Sequence, residues 1–107
     1  MEIKFRTAQR AVTTATTPEK LKEAPEQTEN KFISLTIRAK TGNAGNLYVT
    51  MNGHAASAAF GHILAPGETM PLDVSMFPDG YIDISKIWID AATSGDGLSY
   101  YGFEVLR

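Results

Sequence analysis

Short runs in which apolar and polar residues alternate, each closed by a cluster of Gly, Asn, Asp or Pro, recur along this chain and favour stacked β-sheets over any other architecture. The clearest run spans 32–40, where Ile33, Leu35, Ile37 and Ala39 alternate with Phe32, Ser34, Thr36 and Arg38. A period of two predicts a half-buried strand with the first set inward. Thr41 to Asn46 gathers residues that tolerate positive φ, and Leu47, Val49 and Met51 then resume the alternation. Asn52-Gly53 is the dipeptide a type I′ hairpin turn favours, whereas 54–64, with its run Ala55 to Ala59, suits a short helix and a small-residue strand equally. Pro66-Gly67 fits the centre of a type II turn. The strand after it is expected to direct Met70, Leu72 and Val74 inward, and Pro71, which has no N–H, makes it an edge or bulged strand. Pro78-Asp79-Gly80 marks another turn, Lys86 to Ala92 directs Ile87, Ile89 and Ala91 to the core, and Ser94 to Gly97 turns into a last strand. There Tyr101, Phe103 and Val105 share one parity, Tyr100 and Glu104 the other.

No stretch of ordinary helix length is amphipathic, so the expected class is all-β: a jelly-roll-like β-sandwich over 31–107 behind an extended N-terminal arm, 1–30. The arm is Thr-rich from Thr13 to Thr17 and charged from Glu19 onward. Ile3, Phe5 and Val12 suit it to edge-strand pairing with a neighbour, and Thr17-Pro18-Glu19 to a one-turn helix. Its composition offers too little apolar surface to offset the entropy of ordering it alone, which predicts a segment that orders on binding. At 107 residues the chain has the size of one domain. It has no Cys, so packing or assembly must supply its stability. The formal net charge of -2 gives no reason to expect nucleic acid, and the alternating N-terminus has no apolar run for a signal peptide or membrane span.

Catalytic patterns are missing. His54 and His62 match no zinc-ligand spacing, and Asp79, Asp83, Asp90 and Asp96 lie in or beside turns without the calcium-loop pattern, which favours turn chemistry over a metal. The glycine-rich segments 42–45 and 95–97 lack the Lys-Ser/Thr of a phosphate loop, and no nucleophile elbow or carboxylate pair is present. The expectation is a protein that is not an enzyme and takes no cofactor, metal or small-molecule substrate. The aromatics are more informative, because Phe32, Tyr48 and Trp88 fall on the parity opposite the aliphatic residues of their strands. Outward aromatics are either scattered surface residues or interface anchors. Phe77 and Tyr81 suit a different role, plugging one end of the sandwich.

LTIRAKTGNAGNLYV (Leu35 to Val49), ILAPGETMPLDV (Ile63 to Val74) and IWIDAATSGDGLSYYGFEV (Ile87 to Val105) together resemble small virion proteins of tailed bacteriophages. The likeness lies in the Asn43 to Gly45 turn before Tyr48-Val49, the Leu64 to Glu68 turn, the strand Ile87 to Ala91, and Gly95 to Gly97 before an aromatic final strand. It implies a capsid decoration (cement) protein or a related head-surface or fibre component, made in the host cytoplasm and resident on the capsid surface. Such a protein binds the major capsid protein lattice and self-associates as a dimer or trimer, here through Ile3, Phe5, Val12, Phe32, Tyr48 and Trp88. The alternative is a carbohydrate-binding β-sandwich in which Tyr48 and Trp88 form a sugar-stacking platform. A cupin-type enzyme fits less well for want of a His-x-His with a nearby Glu.

Overall fold

The computed structural model describes residues 2–21, 31–51, 61–77 and 80–106. They form an all-β sandwich of two packed antiparallel sheets. Its strands are β1 (Glu2–Ala11), β2 (Glu19–Lys20), β3 (Lys31–Ala39), β4 (Leu47–Met51), β5 (His62–Leu64), β6 (Thr69–Leu72), β7 (Ile82–Asp83), β8 (Ile87–Ala91) and β9 (Gly97–Leu106). The front sheet has the order β1-β9-β3-β6, with β7 pairing the start of β3, and the back sheet has the order β2-β8-β4-β5. Consecutive strands therefore cross repeatedly from one sheet to the other.

The alternation predicted for β4, β6 and β8 is what fills the space between the sheets. Leu47 and Val49, Met70 and Leu72, and Ile87, Ile89 and Ala91 are all buried, and from the front sheet Leu35, Ile37, Leu98 and Tyr100 meet them. The turn at Pro66-Gly67 has the expected form, with Gly67 at φ 86° and the Glu68 amide donating to the Ala65 carbonyl at 3.0 Å. β6 lies at the edge of the front sheet, where the missing N–H of Pro71 costs no ladder bond. Phe77 is in the core at one end, and Asp73 and Asp83 each cap a 3₁₀ turn by accepting the amide two residues on.

Three expectations need correction. Residues 2–21 are not an arm apart from a 31–107 domain: β1 pairs with β9 from Glu2↔Leu106 to Ala11↔Gly97, and Val12 and Leu21 are core residues. Thr17-Pro18-Glu19 opens no helix but leads into β2, and the Glu19 carboxylate ties the preceding bend by accepting the Thr13 and Thr14 amides at 2.8 and 3.3 Å. Phe32 does not face outward, because the register shifts between Phe32 and Ser34. Phe32 opposes Glu104 while Ser34 opposes Phe103, so Ile33 is an extra residue, a β-bulge that resets the parity. Phe32 is buried, and Ile33, expected inside, is exposed. The Asn52-Gly53 turn and the uncertain stretch 54–60 lie outside the described residues.

A candidate interaction face on the front sheet

β1, β9, β3 and β6 present their outward side chains as cross-strand rows. The first row is Ile3 and, at the same parity but buried, Val105; the second is Phe5, Phe103 and Ser34. The third is Thr7, Tyr101, Thr36 and Pro71, and the fourth is Gln9, Ser99, Arg38 and Thr69. The face thus runs from aliphatic through aromatic to polar and cationic. Phe5 and Phe103 meet edge to face, with ring centroids 5.5 Å apart, yet remain 55% and 46% exposed. With Ile3, Ile33 and Tyr101 they are all but one of the exposed large hydrophobic residues among the described residues, the other being Ile63 on β5. Clustered exposed apolar residues are the mark of an interaction site, whereas scattered ones are not.

The same face has an open edge. Among the described residues no strand pairs with the far side of β1, which is ten residues long and contains neither Pro nor Gly. Such an edge offers a row of unpaired N–H and C=O groups. On its inner side Arg6 forms an ion pair with Glu104, Nε to Oε1 2.6 Å, at an angle that does not make a hydrogen bond. Arg10 is fixed more fully, donating to the carbonyls of Ala11, Lys20 and Leu21 and pairing with Glu19 at 3.0 Å.

The loops beyond the fourth row are clamped together. Asn43 Nδ2 donates to the Gly97 carbonyl at 2.8 Å, and the Gly97 amide donates back to Asn43 Oδ1 at 2.9 Å. Buried Asp96 accepts the amides of Ala44 and Gly45 at 3.0 and 2.9 Å. This is the turn chemistry expected for Asp96, and no cluster able to hold a metal ion occurs among the described residues.

The structure divides the residues singled out in the sequence. Ile3 and Phe5 lie together on the front face, whereas Val12 and Phe32 are core residues and are removed from any surface contact. Tyr48 and Trp88 point outward on the back sheet as expected but are half-buried, with Thr50 and Asp90 buried on the same face. Lys20 holds its Nζ 5.6 Å from the centroid of the Trp88 ring, so that ring already carries a cation. Tyr101, Phe103 and Ile33 escaped notice as surface residues. The parity of Tyr101, Phe103 and Val105 leaves the core side of β9 open; the signal for it is Leu98 and Tyr100 on the other parity, which enter the core. No family model matches the chain, and comparison with curated proteins and with solved structures finds no match.

Proposed function

We propose that this chain is a non-enzymatic virion structural protein that decorates and stabilises a bacteriophage capsid, binding the major capsid protein lattice and self-associating through the front face. The observation that carries the reading is the cluster of Ile3, Phe5, Ile33, Tyr101 and Phe103 on one sheet face of a folded domain. Burying each such side chain contributes about 1.5–3 kcal/mol, enough for a handful of them to dominate an interface. The strand orders β1-β9-β3-β6 and β2-β8-β4-β5 also support a jelly roll, an architecture used by capsid and lectin domains, because the chain crosses between the sheets at most of its strand-to-strand connections. Many weak contacts repeated over one shell sum to strong stabilisation, since a ligand that binds the assembled state alone shifts the equilibrium towards it.

The neighbouring gene is expected to encode a major capsid protein, and the test is co-sedimentation with shells assembled from that protein. Wild type is expected to sediment with the shells and raise their melting temperature, while a Phe5→Ser/Phe103→Ser variant that retains its own melting temperature does neither. Equal binding by the variant, or no binding by wild type, overturns the reading.

A further inference from the structure

The cationic end of the front face is a groove of about 550 Å³, open to solvent. Gln9, Ser99 and Arg38 form its floor as one cross-strand row, Lys40 follows Arg38 at the same parity, and residues 41–43 and 95–96 form its walls. The walls are fixed by the Asn43–Gly97 pair of hydrogen bonds and by the Lys40 amide, which donates to the Gly97 carbonyl at 3.0 Å. The one carboxylate in the lining, Asp96, already accepts two backbone amides and is 8% exposed. Arg38 and Lys40 are exposed, and among the described residues neither side chain has an ion pair or hydrogen bond. The side chains of Gln9, Thr41 and Ser99 are likewise without a partner among those residues. Two cations and three neutral hydrogen-bonding groups therefore converge on a rigid groove in which none of the described residues satisfies them.

One row further along β9 lies Tyr101, 38% exposed and flanked by Thr7 and Thr36. Two residues along a strand advance about 7 Å, so the aromatic ring lies about one sugar ring from the cationic row. We propose that this groove binds an oligosaccharide carrying an anionic group on one of its sugars. Arg38 and Lys40 take the carboxylate or sulfate through charge-assisted hydrogen bonds, and Gln9, Thr41 and Ser99 take hydroxyls. Tyr101 stacks against the apolar face of the adjoining sugar. A nucleic-acid strand fits less well, because it brings a charge with every nucleotide and calls for a basic stripe and several stacking rings. Here a net charge of -2 surrounds two cations and one aromatic ring. The site shares Tyr101 with the apolar cluster but lies beyond its Ile3–Phe5–Phe103 end, and it does not depend on the capsid reading.

Isothermal titration of the full chain against an oligogalacturonate, a heparin-derived oligosaccharide, a neutral dextran oligosaccharide and an oligo-dT strand tests this. Either anionic sugar is expected to bind about tenfold or more tighter than dextran, the oligogalacturonate and heparin arms telling carboxylate from sulfate. Arg38→Gln and Lys40→Gln should each weaken that binding about fivefold or more at unchanged melting temperature, as expected for loss of one charge-assisted contact. Tyr101→Ser should weaken the oligosaccharide but not a single acidic sugar, and Phe5→Ser should leave both unchanged. The proposal is overturned if neither anionic sugar binds at millimolar concentration, if dextran or oligo-dT binds as tightly, or if the two charge variants bind like wild type.

Discussion

Gly102 is where a single hydrogen atom decides the local geometry. A Cβ there would overlap the Ser34 carbonyl oxygen and lie 2.9 Å from Leu35 Cα, because β3 crosses close beside the bulge. Gly102→Ala is expected to cost about 1–3 kcal/mol in urea unfolding through overpacking. Gly42→Ala, where an added Cβ meets nothing within 4 Å, should stay within about 0.5 kcal/mol of wild type. Glu104 poses the opposite problem, a carboxylate on a residue 2% exposed that faces the Arg6 guanidinium. Arg6→Met leaves that carboxylate buried without its cation and should cost about 1–3 kcal/mol, part of which Glu104→Gln recovers in a double-mutant cycle. The fate of Phe32 shows why sequence reading stopped short here. Its parity was legible, but the bulge that inverts it depends on Gly102 and Phe103, some seventy positions away along the chain, and no period-two pattern contains that information.

Among the strands, β4, β6 and β8 were legible because each carries its own alternation and its own turn signals. For β1 the suitability of Ile3 and Phe5 to an edge strand was legible but the partner was not, since β9 lies at the far end of the sequence and the Thr and charged neighbours of β1 look like a solvated tail. An edge strand bonded on one side alternates between residues whose N–H points at its partner and residues whose N–H points away. Hydrogen exchange on the monomeric protein should therefore show period-two protection from Ile3 to Arg10, and uniform fast exchange there would contradict the β1–β9 ladder. A chain starting at Lys31 loses β1, β2, Val12 and Leu21 together. It is expected to show no cooperative thermal unfolding, where a separable arm would have left the sandwich intact.

For the whole molecule, the two ends of the front face differ in character, apolar at Ile3, Phe5 and Phe103 and polar at Gln9, Ser99 and Arg38, and on the proposed readings they divide the work between association and recognition. Light scattering at high micromolar concentration should report an oligomer for wild type and a monomer for Phe5→Ser/Phe103→Ser; a wild-type monomer under those conditions would confine assembly to the shell surface. The all-β sandwich was legible in the sequence as a whole, but the face was not, because its rows draw residues from four strands and its edge belongs to the segment that resembled a tail. The β1–β9 ladder also fixes how the domain answers to force. Glu2 lies across from Leu106 and Ala11 across from Gly97, so tension applied between Glu2 and Leu106 peels the ladder apart one pair at a time. Tension between Glu2 and Gly97 instead shears every pair at once. The same sandwich is mechanically soft when pulled from one pair of anchor points and stiff from the other.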